Sequence, residues 1–168
     1  MTHQLGQYRD SQLAATGKVV GFYEREFYVF SNFSSFQVYW RGRLWPTSEH
    51  AYQAAHFFET NRELTEQIFG SPSAHEAFKL AKANVDQARV DWEELKVGIM
   101  EDICWHKLAQ HTYIQLKLLQ TGDVPLVEDS PTDAFWGWGS GRDGRNELGQ
   151  LWMRLRAQLQ ENPELFSK

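Results

Sequence analysis

The stretch Trp45-Pro-Thr-Ser-Glu-His-Ala-Tyr-Gln-Ala-Ala-His56 contains the clearest change of local structure in the chain. Pro46 and the two hydroxyl residues after it end an extended segment. Thr47 or Ser48 can then accept a free backbone N–H and cap a helix. The stretch therefore predicts a helix from Ser48 to about Thr60.

Three polar side chains of this helix share one face. Glu49 lies in the first turn, Gln53 follows four residues later and His56 three after that, and such spacings align on a helix. Tyr52, Ala55 and the pair Phe57-Phe58 surround them, so we interpret the face as a candidate reaction site. The alternative is a solvated stripe whose carboxylate favours the helix N-terminus. His50 and His56 are six residues apart and fall on different faces, so we expect no metal site.

Composition limits the class of protein. The chain has 168 residues, which is enough for one domain with a full hydrophobic core. Its net charge of −5 provides no general attraction for nucleic acid or an anionic membrane. Cys104 is the only cysteine, which excludes an intrachain disulfide and a cysteine zinc cluster. It stands in an apolar helical pattern, and we expect a buried thiol.

Residues 1–17 are polar and aperiodic, and we expect a flexible N-terminal segment before a domain at 18–162. The N-terminus has no long apolar run. We therefore expect neither a signal peptide nor a membrane span, and a cytoplasmic location by default.

Periodicity predicts an α+β fold, a mainly α-helical single domain with a small antiparallel β element. Strands are predicted at 19–23, 36–40 and 124–127, and a hairpin turn at 41–43 leads into Leu44-Trp45. Further helices are predicted at 62–69, after Ser71-Pro-Ser with Ser71 as cap, from 91 to about 119 with a break near 111–112, and from about Asn146. The last of these should bury Leu148, Leu151, Trp152, Leu155 and Leu159.

A second candidate site is the loop at 133–149, where five glycines, two arginines and three aromatic rings precede a helix N-terminus. Backbone N–H groups of such a loop can approach a phosphate, and Arg142 and Arg145 can clamp its oxygens. Trp136 or Trp138 can stack on a base. The alternative is a long surface turn, since the glycine spacing fits neither the P-loop nor the dinucleotide fingerprint.

Three further residues are ambiguous from the sequence. Asn32 favours a turn in which its side chain bonds its own backbone, although it can also read a ligand's polar edge. Trp92 is typical of a core residue. Lys107 is typical of a surface lysine that lays its stem on apolar neighbours.

Several motifs together resemble the NADAR (NAD and ADP-ribose associated) family, in particular its YbiA-like members. They are Phe30-Ser-Asn-Phe, Trp45-Pro-Thr-Ser-Glu-His-x-x-Gln-Ala, Asp133-x-x-Trp-Gly and Gly144-x-Asn-x-Leu-Gly. The resemblance covers roughly residues 20–160 and implies a compact, mainly helical α+β domain. It also implies N-glycoside hydrolysis. The implied substrates are ribosylamino-pyrimidine phosphates of early riboflavin synthesis or ADP-ribose on guanine in DNA.

The resemblance also implies roles for single residues. Glu49 and Asp133 match the family's motif glutamate and aspartate, while Trp92, Trp136 and Asn146 match other motif positions. The family often has lysine where this chain has His56. Lys107, which matches another family lysine, can supply an amine instead; otherwise His56 must act by proton transfer.

We expect the catalytic residues to be Glu49, Asp133, His56 and Lys107. Glu49 would stabilise an oxocarbenium-like state or activate water, Asp133 would orient the ribose hydroxyls or share the base role, and His56 would move protons. Trp92 and Trp136 would sandwich the base, and the loop from Gly137 to Asn146 would hold the 5′-phosphate. The expected substrate-binding set is Asn32, Trp45, Gln53, Trp92, Trp136, Gly137, Arg142, Arg145 and Asn146.

The expected partner is a small phosphorylated ribosyl-base or an ADP-ribosyl substrate, without cofactor, metal or membrane. Two alternatives remain open from the sequence. A non-catalytic module can bind ADP-ribose or a nucleotide in the same pocket. An enzyme acting on ADP-ribosylated DNA would use the same chemistry on a polymer and need a basic rim.

Overall fold

The computed structural model describes residues 19–23 and 25–167, and the contacts divide the chain into two compact units. The central unit comprises residues 32–110. The terminal unit comprises the described residues up to Ser31 together with those from His111 onwards. The expected flexible segment at 1–17 lies outside the described residues.

The described residues form a mainly helical α+β fold, as predicted. The strands are Val20–Phe22 (β1), Val38–Trp40 (β2), Arg43–Trp45 (β3) and Leu126–Glu128 (β4). The α-helices are Ser48–Ala55 (α1), Arg62–Phe69 (α2), Ala74–Ala83 (α3), Trp92–Gln110 (α4), Thr112–Gln120 (α5) and Glu147–Glu161 (α6). Short 3₁₀ helices occupy Arg25–Phe30, Val85–Gln87 and Pro163–Phe166.

In the central unit, β2 and β3 form the predicted antiparallel hairpin. Arg41 and Gly42 connect them with φ angles of 48° and 78°. Positive φ at both central residues is the geometry that matches the right-handed twist of the two strands. The hairpin leads directly to Thr47, whose side chain accepts the N–H of His50 and caps α1.

Helix α1 ends at Ala55 rather than near Thr60, which corrects the predicted boundary. The N–H of Phe57 bonds to the carbonyl of Ala54, three residues back, and the N–H of Thr60 bonds likewise to Phe57. These tighter turns end the α-helix. Asn61 then caps α2 by accepting the N–H of Leu64.

The predicted cap of α3 was wrong by two residues. Ser73, not Ser71, accepts the N–H of Glu76 at the start of this helix. The carbonyl of Ser71 instead lies 3.1 Å from Nε2 of His50, whose Nδ1 lies 2.8 Å from the hydroxyl of Thr47. Because a carbonyl only accepts hydrogen bonds, Nε2 of His50 must carry the proton. His50 therefore bonds to the cap of α1 and to the segment that precedes α3.

The predicted break in the long helical pattern is confirmed. His111 has extended backbone angles, φ −130° and ψ 96°, between α4 and α5. Cys104 is fully buried in α4, as expected. No helix in the described ranges combines the length and apolar character needed to cross a bilayer.

In the terminal unit, β1 and β4 pair in parallel, with Val20 opposite Leu126. The antiparallel element was predicted, but this second, parallel pair was not. Helix α6 buries Leu148, Leu151, Trp152, Leu155 and Leu159, as predicted from their helical spacing. The indole N–H of Trp152 donates to the carbonyl of Phe30 at 2.9 Å.

Candidate active site

Glu49 is a buried carboxylate at the start of a helix in the central unit. Its side chain lies in the first turn of α1, and the residue is 4% exposed. Its backbone N–H donates to the carbonyl of Asn32 at 3.1 Å, and its Oε1 accepts from Nε2 of Gln53 at 2.7 Å. The predicted alignment of Glu49 and Gln53 is therefore confirmed, and the face is enclosed rather than solvated.

His56 lies at the end of the same helix against aromatic rings. Its ring centroid is 3.6 Å from that of Trp92 and 5.5 Å from that of Tyr52, and Tyr52 and Trp92 are 5.1 Å apart. Both imidazole nitrogens are buried, and neither finds a hydrogen-bond partner among the described residues. Buried polar atoms without partners are rare in proteins, so this imidazole is an unusual group.

The environment of His56 keeps its imidazole neutral. Burial lowers its pKa from 6.5 to about 4; the charge of Glu93 opposes this shift and that of Lys96 adds to it. An imidazole with this pKa carries almost no proton at pH 7. At neutral pH the ring can accept a proton but has almost none to donate, and the expected proton-transfer role of His56 stays a prediction.

Lys107 is fully buried in α4, so the expectation of a surface lysine was wrong. Its Nζ donates to the hydroxyl of Ser34 at 2.8 Å and lies 5.6 Å from the ring centroid of Phe36.

Burial raises the pKa of the nearby Cys104 thiol to about 12, although the charge of Lys107 opposes that shift. Cys104 is thus a protonated, unreactive thiol at neutral pH.

Asn32 connects the chain before β2 to both α1 and α4. Its carbonyl receives the N–H of Glu49, its Nδ2 donates to the sulfur of Met100 at 3.0 Å, and the thiol of Cys104 lies 3.8 Å from its Oδ1. The two sulfur residues are four apart on one face of α4. Asn32 therefore fixes the backbone at Glu49. The turn predicted from the sequence around Asn32 did not indicate this role.

Trp45, an expected substrate contact, belongs to the core of the central unit. It is 2% exposed, and its indole N–H donates to the carbonyl of Trp40 at 3.1 Å. Its ring packs against Phe58 and Phe69, with centroids 6.0 and 5.4 Å away. Trp92 is also buried but contacts His56 and Tyr52 on the Glu49 helix.

In the terminal unit, Asp133 organises the loop that follows it. Its Oδ1 accepts the N–H groups of Phe135 and Trp136, each at 2.8 Å. Trp136 is half-buried, and its ring lies nearly perpendicular to that of Phe135 at a centroid distance of 5.0 Å. Trp138 is buried and donates its indole N–H to Asp129 at 2.6 Å, so Trp136 is the more accessible indole of this loop.

The glycines of this loop allow close packing of backbone. A Cβ at Gly137 would lie 2.5 Å from the carbonyl oxygen of Glu128, and one at Gly144 would lie 2.6 Å from that of Ala134. The N–H groups of Glu147 and Leu148 at the start of α6 donate to the carbonyls of Phe135 and Trp136. These two N–H groups are thus occupied within the loop, and phosphate binding by the segment from Gly137 to Asn146 stays a prediction.

Asn146 joins the start of α6 to β4. Its φ is 51°, its Oδ1 accepts the N–H of Glu128 and its Nδ2 donates to the carbonyl of Leu126, both at 2.9 Å. Both polar atoms of the expected substrate contact are therefore bonded to the neighbouring strand.

The two arginines of the loop differ in their contacts. The guanidinium of Arg145 bonds to Glu147 and lies 4.7 Å from the ring centroid of Phe135. That of Arg142 lies 5.5 Å from the ring centroid of Trp138. Within residues 19–23 and 25–167, no group of three or more His, Cys, Asp or Glu is arranged to hold a metal ion.

Comparison with known proteins identifies the family. The chain is 37% identical over 131 residues to an N-glycosidase from Nostoc punctiforme, covering 77% of this chain and 84% of that protein. It is 34% identical over 143 residues to the N-glycosidase YbiA of Escherichia coli, covering 84% and 88%. A riboflavin biosynthesis protein from Vibrio vulnificus is 39% identical over 132 residues, which span 79% of this chain but only 35% of that protein.

A solved structure is similar over almost the whole length. The NMR structure of Escherichia coli YbiA superimposes with a TM-score of 0.80 at 30% identity and covers 96% of this chain and 94% of that one. The model of the NADAR domain matches residues 21–160. The chain therefore belongs to the NADAR domain family.

Proposed function

We propose that this chain is an N-glycosidase that hydrolyses the bond between ribose C1 and an exocyclic amine of a pyrimidinone-like base. Relatives that match most of the chain are named N-glycosidases, which supports the reaction class. Two others are named riboflavin biosynthesis proteins, which favours a ribosylaminopyrimidine phosphate as substrate. The matched part covers 35% and 25% of those two proteins.

The observation that carries this proposal is Glu49. A carboxyl group that is only 4% exposed costs free energy to bury, and Gln53 holds one of its oxygens in place. Helix α1 holds it in a first turn that Thr47 and Asn32 fix from both sides. The group is thus held in one place, and its ionised form would supply the negative charge that a developing positive charge on ribose requires.

The mechanism follows from the charge that appears when the bond breaks. Departure of the amine leaves an oxocarbenium-like sugar, and one water must add to C1 while the amine takes up a proton. Glu49 stabilises the cationic sugar or removes a proton from the attacking water. Gln53 holds the carboxylate in one orientation through its Nε2.

The local environment favours neither His56 as a proton donor nor Lys107 as an amine nucleophile. A pKa of about 4 makes His56 a poor proton donor at neutral pH. Lys107 is fully buried, and its ammonium donates to Ser34, so it is not placed as a free nucleophile for sugar C1. We assign Lys107 a buried hydrogen bond to Ser34 and His56 a neutral ring beside Trp92.

Trp92 is our choice for the ring that contacts the base, because its indole lies on the aromatic cluster of the Glu49 helix. Asp133, Trp136, Arg142 and Arg145 remain predicted substrate contacts of the terminal unit. The observed contacts of Asp133 give it a role in shaping the loop, which is compatible with orienting ribose hydroxyls through its second oxygen.

The test offers purified protein two substrates separately, a ribosylaminopyrimidine phosphate and guanine-ADP-ribosylated DNA, and follows products by mass spectrometry. We expect free base and ribose phosphate from the first. Glu49→Gln should reduce the rate by about 10²–10⁴-fold, the usual contribution of general acid–base catalysis, while the fold is kept.

Glu63→Gln is the matched control. Glu63 also accepts from a glutamine four residues later, Gln67, but at 3.3 Å on the exposed face of α2. We expect this variant to retain full activity. A fully active Glu49→Gln would remove Glu49 from the mechanism, and release only from DNA would reassign the substrate. Binding of ADP-ribose with no release from either substrate would identify a binding module instead.

A further inference from the structure

Arg89 makes an unusual set of contacts just before α4. Its Nε and one terminal nitrogen donate to both carboxylate oxygens of Asp91, at 2.6 and 2.9 Å, and its other terminal nitrogen donates to Glu59 at 3.2 Å. Its backbone N–H donates to the carbonyl of His56 at 2.9 Å. One residue therefore joins the turn after α1 to the segment that starts α4.

These contacts lead directly to the aromatic pair of the candidate site. The N–H of Trp92 donates to the carbonyl of Arg89 at 3.3 Å. The ring of His56, whose carbonyl accepts the N–H of Arg89, lies against that of Trp92 with centroids 3.6 Å apart and planes tilted by 41°. The backbone of Arg89 is thus bonded to the backbone of both ring residues, and its side chain bonds to Glu59 and Asp91. A second link, from Asn61 to Gln87 at 2.7 Å, joins the same two segments nearby.

Arg89 differs from an ordinary surface ion pair. Exposed ion pairs contribute little to stability, and Glu59 is indeed well exposed. The side chain of Arg89, however, is only 15% exposed. A planar guanidinium that bonds a carboxylate through two nitrogens also fixes direction, which a lysine does not.

We propose that Arg89 is a positioning residue that holds Trp92 and His56 in the close ring contact that receives the base ring of the substrate. The proposal rests on the proposed function, because it takes Trp92 as the residue that contacts the base of the substrate. Arg89 touches no reacting atom in this scheme. It acts through the geometry of two other side chains.

The test compares Arg89→Met and Arg89→Lys with the unmodified chain on the ribosylaminopyrimidine phosphate. A displaced ring should weaken substrate binding, and misplacement by about 1 Å costs up to about 10²-fold. We expect Arg89→Met to lose about 10–100-fold in kcat/KM, mainly through KM. Arg89→Lys should recover only part, because it keeps the charge but not the two-nitrogen contact.

A second readout follows the imidazole itself. The NMR signals of His56, assigned by their loss in His56→Phe, should titrate near the pKa of about 4 in the unmodified chain. In Arg89→Met the ring should become more hydrated, so its pKa should rise. Glu93 and Lys96, the charged groups that act on His56 from α4, are unchanged in this variant.

Two glutamate variants separate positioning from general loss of an ion pair. Glu59→Gln removes the exposed partner of Arg89, and Glu66→Gln removes the exposed partner of Arg43 in the same unit. We expect a rise in KM with the first and none with the second. They also keep the proposal testable if Arg89→Met fails to fold.

Unchanged KM and an unchanged His56 titration in Arg89→Met would overturn the positioning role. If the unmodified chain cleaves neither substrate, the proposed function fails. The titration of His56 then still decides whether Arg89 positions the aromatic pair.

Discussion

Two glutamate–glutamine pairs show how burial changes the role of the same side chains. Glu49 with Gln53 and Glu63 with Gln67 have identical spacing on adjacent helices. The exposed pair contributes a few tenths of a kcal/mol to its helix. The enclosed pair removes a carboxylate from water, and its hydrogen bond decides how that charge is presented.

His56 makes stability depend on pH in a defined window. Its pKa is about 4 when folded and near 6.5 when unfolded, so between these values the unfolded chain binds a proton that the folded chain does not. Stability from this group is therefore complete above pH 6.5 and falls as the pH decreases to about 4. The loss is at most about 3 kcal/mol, at 1.36 kcal/mol per pKa unit.

We expect His56→Phe to remove this loss, since phenylalanine keeps the ring but has no nitrogen to protonate or leave unbonded. Urea unfolding of both proteins from pH 7.5 to 4 measures it. Their difference in unfolding free energy should shift in favour of the variant as the pH decreases. His75→Phe, at an exposed position of α3, is the control. Parallel curves for His56→Phe and the unmodified chain would contradict the prediction.

Helices α4 and α6 each contain a glycine, and the two glycines have opposite surroundings. Gly98 in α4 has nothing within 4 Å of the position of an added Cβ. At Gly149 in α6 that Cβ would lie 2.3 Å from the carbonyl oxygen of Leu126 in β4 and 2.4 Å from the side-chain amide of Asn146. Gly149 therefore permits the close approach of α6 to β4 that Asn146 secures by hydrogen bonds.

The same substitution should consequently have opposite signs at the two positions. Gly98→Ala should stabilise the chain by about 0.5–1 kcal/mol, because alanine loses less conformational freedom in a helix. Gly149→Ala should destabilise it by about 1–3 kcal/mol, the usual cost of forcing an extra carbon into a packed site. Denaturant unfolding measures both. A stabilising Gly149→Ala would show that α6 can move away from β4 freely.

The net charge of −5 affects how the whole chain meets polyanions. Without counterion release from many phosphate contacts, affinity for unmodified DNA is low. We expect excess unmodified duplex to leave KM for the small substrate unchanged, even at low salt. Inhibition that disappears as salt is raised would instead reveal a local basic surface and favour a DNA substrate.

Family membership and local structure could be predicted from the sequence. The structure confirms four local predictions: the cap of α1 at Thr47 or Ser48, the hairpin turn at Arg41-Gly42, the break near His111 and the buried face of α6. Of the two predicted cap residues, Thr47 is the one that caps the helix. Each depends on residues close together in the chain, through capping, backbone angles or helical spacing. The motifs that identify the family are likewise short and local.

Tertiary structure alone decided the environment of the site. Several contacts join residues that are distant in sequence. They are the bond of buried Lys107 to Ser34, the contacts of Asn32 with Met100 and Cys104, and the backbone bond between Arg89 and His56. The low pKa of His56 has the same origin, because desolvation depends on what packs around a group. Local sequence specifies which groups are present, but packing determines whether each is charged, enclosed or free to react.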